Sequence, residues 1–246
     1  MLVPTPSSTS AARETHQQNT RRWLRLAFVI TIIVNWCLIG LRLLLSPAFF
    51  SQPNDLGYIL EPVLSLAVYA AVGLAFLLSL PAAGQSALTI GTRVGLLTGV
   101  LWVINHAKET FATLPSLPAT LISISAFLGA FVLWGVAGFL AARQTCSLRY
   151  GLIAALWSAM LTVLLTITFG FLLLLVALPQ LAFLEHNDPD FLRSHWNNVT
   201  LFAIANTLDA GFSHLLEAPI IAVVFGIVGS LFGRLIAPKA TAAPEA

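Results

Sequence analysis

Residues Tyr150–Leu178 read YGLIAALWSAMLTVLLTITFGFLLLLVAL, twenty-nine positions without a charged side chain. At 1.5 Å per residue a helix over this stretch is about 43 Å long, which exceeds the roughly 30 Å hydrocarbon core of a bilayer. The lipid interior offers peptide N–H and C=O groups no partner, so a run of this kind crosses as a helix that bonds its own backbone.

The rest of the chain agrees with that reading. Hydrophobic residues make up 58%, charged residues only 9%, and mean hydropathy is +0.89, whereas a soluble domain carries about 25% charged residues. A net charge of +2 lacks the clustered Lys and Arg that displace counterions from phosphate, so no nucleic-acid partner is expected. Cys37 and Cys146 fall at different depths and build no disulfide framework.

Working outward, further apolar runs lie at about Leu26–Leu45, Tyr58–Leu80, Ser86–Ala107, Pro118–Ala142 and Pro219–Ala237. The expected fold is all-α, a polytopic bundle of six transmembrane helices arranged as three tandem hairpins, with residues 21–238 as the membrane domain. Residues 1–20, poor in large apolar side chains, are expected to form a disordered tail, and residues 239–246 a short second tail. With both termini in the cytoplasm, that side holds Arg13, Arg21, Arg22, Arg25, Arg93, Arg143, Arg149, Arg234 and Lys239, against Arg42, Lys108 and Arg193 outside. Lys and Arg are retained inside, so this orientation is preferred.

The stretch from Asn198 to Glu217 is long enough to span, yet it contains Asn206, Asp209, Ser213, His214 and Glu217. An aspartate near a helix centre costs about 3 kcal/mol on an insertion scale, and each Leu or Phe returns only about 0.5. Residues 198–217 are therefore expected to form an amphipathic helix at the outer interface or over the bundle, bent into the last span at Pro219.

Two patterns recur. Arg93-Val-Gly-Leu-Leu97 opens the third span and Arg149-Tyr-Gly-Leu-Ile153 the fifth; Gly135-Val-Ala-Gly-Phe-Leu140 lies in the fourth and Gly226-Ile-Val-Gly-Ser-Leu231 in the sixth. The last two hairpins thus look duplicated. Gly91, Gly95 and Gly99 repeat at four-residue spacing, as do Gly229 and Gly233, and with Gly135, Gly138 and Gly226 they are expected to be helix-packing faces, because small residues let backbones approach closely in lipid. Trp36, Trp102, Trp134 and Trp157 fall inside spans as packing residues, while Trp23 and Trp196 lie at interfaces.

Nucleotide-binding, zincin, serine-hydrolase and Cys-x-x-Cys signatures are absent, which lowers the expectation of an enzyme. The remaining candidate polar site is a group of residues expected on the outer side: Glu61, Asn105, His106, Glu109, Asp209, Ser213, His214 and Glu217. His106 and Glu109, like His214 and Glu217, are three apart and share a helical face; imidazole with carboxylate suits proton relay or metal binding. The order His-x-x-Glu is the reverse of the di-iron motif, so the metal content is left unknown and no cofactor is expected. Arg42 is expected to snorkel to the headgroups or to pair with Glu61.

The expected function is that of a non-enzymatic integral membrane protein, a small-solute permease or a membrane subunit of a larger complex. Its expected surroundings are bilayer lipid, with a second copy of the chain or another membrane protein as further partners that the glycine faces allow. The alternative is a membrane-embedded enzyme that uses the outer His and carboxylate residues on a lipid or exported substrate.

Overall fold

A computed structural model describes residues 8–51, 55–112, 115–194 and 196–237, and these are almost entirely helical, with no strand among them. The long helices are α1 (Ser8–Leu44), α2 (Asp55–Ser79), α3 (Ala82–Phe111), α4 (Ser116–Thr145), α5 (Leu148–Val176) and α8 (Val199–Leu235); two short ones, α6 (Leu178–Glu185) and α7 (Pro189–Arg193), lie between α5 and α8. Each long helix is long and apolar enough to cross a bilayer. The chain is an integral, multi-pass membrane protein with an all-α helix bundle.

α5, the charge-free stretch, is the central element. A helix apolar on every side has to be enclosed by others or by lipid, and α5 packs against α1, α2, α3, α4, α6 and α8. Its neighbours are in register through glycines. Built on Gly95 of α3, a Cβ would lie 2.6 Å from Ser158 O of α5; built on Gly91, it would lie 2.5 Å from Ala154 O. These contacts advance together along both chains, so α3 and α5 run parallel. α4 and α8 also run parallel, with Gly229 against the Gly135 carbonyl and Gly233 against that of Phe139. The hairpins α3–α4 and α5–α8 therefore lie side by side, equivalent helix against equivalent helix. All eight glycines of the packing faces meet α4, α5 or α8 of the same chain.

The hairpin α1–α2 flanks α5 on another side. Asn35, 0% exposed, donates to Thr168 Oγ1 at 2.8 Å, and Phe28 stacks on Trp157 with ring centroids 5.3 Å apart. Arg25 donates to Leu77 O at 2.8 and 3.2 Å and so satisfies a carbonyl left open in the last turn of α2.

Several expectations need correction. Residues 198–217 are not a separate helix: α8 runs unbroken from Val199 to Leu235 with Pro219 inside it. Its first half lies along the second half of α5, Thr207 beside Gly170 and Gly211 beside Phe171, and its second half along the first, Gly226 beside Ala155. One helix of 37 residues, about 55 Å long, thus crosses once and projects beyond the core. Leu201, Ile204, Leu208 and Leu215 are buried while Asp209 and Glu217 are exposed, and this continuous apolar face offsets the backbone hydrogen bond lost at Pro219.

The backbone of residues 8–20, expected to be disordered, continues α1; Ala, Arg, Glu and Gln in this stretch propagate a helix already nucleated by the span. Residues 1–7 and the second tail, 239–246, lie outside the described residues. Trp36 faces outward, 38% exposed, whereas Trp102, Trp134 and Trp157 are buried. Trp196 is more than an interface anchor, since it packs between Phe49, Tyr58 and Phe202. Arg42 does not reach Glu61; it donates to Leu174 O at 3.2 Å and to Ser46 Oγ at 2.5 Å.

Candidate functional site

The two ends of the bundle differ in charge. Arg22, Arg25, Arg143, Arg149 and Arg234 gather where α4 ends and α5 begins; Glu61, Glu109, Glu185, Asp188, Asp190 and Asp209 gather at the opposite end. At that acidic end α3, α5, α6 and α8 surround a half-open cavity of about 170 Å³.

The helical register decides which candidate residues reach it. Asn105 and Glu109, one turn apart, turn toward α4, where Asn105 Nδ2 donates to Glu109 Oε1 at 2.9 Å and Ser123 Oγ donates to the same oxygen at 2.6 Å. Lys108, 12% exposed, completes this knot by donating to Asn105 Oδ1, Ala119 O and Ser123 Oγ at 3.1, 3.2 and 2.9 Å. These side chains tie α3 to α4. His106 lies about 100° round the helix from Asn105 and enters the cavity instead, where its ring centroid is 6.4 Å from that of His214 on α8. Trp102, one turn before His106, meets both imidazoles edge-on at 6.2 and 5.4 Å and lies tilted against Phe127 at 4.7 Å.

The outcome for the eight candidates is mixed. His106 and His214 converge, and His106 Nδ1 stays 3.6 Å from Glu109 Oε2. Asn105 and Glu109 belong to the α3–α4 knot. Glu61, Asp209 and Glu217 are exposed, and Ser213 is half-buried without lining the cavity. Among the described residues no three His, Cys, Asp or Glu side chains are grouped to hold a metal ion.

Sequence reasoning missed Glu185 and underrated Asn206. α5 ends at Val176, α6 turns back over the cavity with Pro179 in its first turn, and Leu181 and Glu185, one turn apart, face inward. Asn206 Nδ2 donates to Glu185 Oε1 at 2.8 Å, while Glu185 Oε2 is buried with no hydrogen-bond partner among the described residues. The only signal in the sequence was a carboxylate at the end of a short apolar stretch. The Asn198 side chain accepts from the Thr200 and Leu201 amides and so caps α8.

Burial pushes the Glu185 carboxyl above its usual range, and Asp188 and Asp190 push the same way against the opposing hydrogen bond from Asn206. His106 and His214 are the other titratable groups lining the cavity. A carboxyl with a raised folded-state pKa stabilises the fold fully below its unfolded pKa, and that contribution is lost as pH rises through the folded value. Glu185→Gln keeps an acceptor for Asn206 and cannot ionise. Thermal unfolding in detergent should therefore show a smaller loss of stability between about pH 4 and 7 in this variant than in the parent; identical pH slopes would contradict the burial of this carboxyl.

Below the cavity a line of hydroxyls continues into the bundle. Thr166, Thr162 and Ser158 recur at four-residue spacing on one face of α5, all buried, and Thr162 meets both Trp134 Nε1 and Gly95 O at 3.3 Å. Thr110, Thr166 and Thr207 at the cavity wall each donate to a carbonyl of their own helix and not to an imidazole. No family model, no curated protein and no solved structure matches this chain.

Proposed function

We propose that this protein is a non-enzymatic small-solute permease, oriented with both termini in the cytoplasm and the acidic end outside. The observation that carries the reading is the half-open cavity on which His106, His214, Glu185 and Asn206 converge from three helices. Sites of this kind, mostly apolar with a few convergent polar groups, lie between the helices of bundles. The hydroxyl line from Thr166 to Ser158 gives a solute polar contacts farther in, and the side-by-side hairpins are the general form of parallel-repeat transporters. Against an enzyme stands the absence, among the described residues that line the cavity, of a nucleophile bonded to a base, since the wall hydroxyls are engaged with their own helices. The arginines at the opposite end support the orientation.

Cysteine accessibility tests this without knowledge of the solute. In a variant lacking Cys37 and Cys146, Ser147→Cys should react with an impermeant maleimide only from the cytoplasm and Asn187→Cys only from outside. Thr166→Cys should react from outside, and a permease that alternates its access should expose Ser158→Cys from the cytoplasm. If Ser158→Cys is inert from both sides while Thr166→Cys reacts, the protein is a static membrane subunit and not a permease.

A further inference from the structure

The polar part of the cavity wall is made of the His106 and His214 imidazoles, the Asn206 amide, the Glu185 carboxyl and three threonine hydroxyls. Because Thr110, Thr166 and Thr207 donate their hydroxyl protons to His106 O, Thr162 O and Ala203 O at 2.9, 3.0 and 2.8 Å, what they offer a guest is lone pairs. The unpartnered Glu185 Oε2 adds an acceptor that is charged once the carboxyl ionises, and a buried carboxylate oxygen is costly unless something donates to it. Among the described residues no Lys or Arg lines the cavity; Asp188 and Asp190 follow closely on Glu185, and Arg193 pairs with Asp190 at 3.5 Å. The acidic excess that remains beside Glu185 favours cations.

The remaining wall is hydrocarbon, with Ile167, Phe171, Leu173 and Leu181 as its large apolar side chains. A volume of about 170 Å³ is close to the roughly 150 Å³ of an apolar cavity that admits benzene. Aromatic faces also attract cations, and Phe171 is one of the wall residues.

We propose that this cavity binds a small organic ammonium ion, the size of one aromatic ring with an aminomethyl group, whose N–H groups meet Glu185 Oε2 while its carbon skeleton lies against Phe171. The proposal names the solute of the permease and rests on that reading. Burial and the two aspartates hold the Glu185 carboxyl toward its neutral form; a bound ammonium opposes both effects and favours the carboxylate.

Three probes of equal size separate charge from shape: benzylammonium, benzyl alcohol and benzoate. Each is titrated calorimetrically into the purified full chain in detergent, with empty micelles subtracted. Saturable benzylammonium binding, at least tenfold tighter than benzyl alcohol, with no saturable benzoate binding and at least a tenfold loss in Glu185→Gln, is the expected result. Similar binding of all three probes, or unchanged benzylammonium affinity in a folded Glu185→Gln variant, overturns the proposal. Should that variant not fold, Ala210→Phe fills the cavity from an exposed wall position, and undiminished benzylammonium binding there overturns it equally. Repeating the labelling of Ser158→Cys with saturating benzylammonium separates the two readings. Binding with Ser158→Cys inert on both sides supports the ammonium site and overturns the permease; cytoplasmic reactivity of Ser158→Cys without any benzylammonium binding supports the permease and overturns the ammonium site.

Discussion

Gly229→Leu should prevent the bundle from holding together in detergent, whereas Gly57→Leu should leave it nearly as stable as the parent. A Cβ on Gly229 would fall on the Gly135 carbonyl of α4, with the Gly135 carbonyl carbon only 2.8 Å away, while nothing lies within 4 Å of one on Gly57 in the first turn of α2. Overpacking a core costs about 1–3 kcal/mol when side chains can shift. Here the obstacle is backbone, and Gly138 and Gly233 also hold the same two helices close, against the Gly226 and Phe139 carbonyls, so neither helix can retreat without opening the whole seam. The expected cost is therefore above about 3 kcal/mol. Gly95→Leu should behave similarly against Ser158 O of α5. Unfolding temperatures of the three variants in one detergent provide the check, and a Gly229→Leu bundle as stable as the parent would show that α4 and α8 do not meet at these glycines.

Trp157→Ala should be the most damaging single truncation of a side chain. Trp157 is 1% exposed, stacks on Phe28 of α1, donates Nε1–H to Thr92 Oγ1 of α3 at 2.8 Å and lies 3.2 Å from the Cβ that Gly91 would carry. It thereby joins three helices at the centre of the bundle. Removing a buried Trp of this kind leaves a cavity and costs about 3–5 kcal/mol. Trp157→Phe keeps most of the volume and loses the hydrogen bond, worth about 1 kcal/mol. Trp23→Ala, at a residue 69% exposed, should change stability little. The expected pattern is a Trp157→Ala midpoint far below that of Trp157→Phe, with the Trp23→Ala variant near the parent; equal midpoints for Trp157→Ala and Trp23→Ala would remove Trp157 from the core.

Fold class was legible in the sequence because crossing a bilayer leaves a one-dimensional record. A run such as Tyr150–Leu178 has to be apolar along its whole length whatever surrounds it, so length and hydropathy identify all six crossing helices without knowledge of contacts. The glycine spacing was legible for a related reason: a close crossing demands small residues at four-residue intervals on one face. The face alone does not say which helix it meets, and only the packed structure pairs Gly91, Gly95 and Gly99 with α5 and Gly229 and Gly233 with α4.

The site was legible only in part. His106 and His214 stood out because ionisable residues are scarce in this chain, yet Asn105, adjacent to His106, is directed to α4 by a 100° step along the same helix. Glu185 gave no comparable signal, since its role depends on α6 folding back so that a carboxylate meets Asn206, twenty-one residues away.

Asn198–Glu217 marks the boundary between the two kinds of information. The sequence by itself set Asp209 and Glu217 on the polar face of an amphipathic stretch, and both lie on the exposed side of α8, away from the packed core. That the segment continues through Pro219 as one helix was decided by tertiary structure. Leu201, Ile204, Leu208 and Leu215 are enclosed by the bundle, and the length of α5 alongside gives them a surface against which one unbroken helix packs. Local insertion costs are sums over a segment's own residues and do not include the neighbour that the segment will pack against.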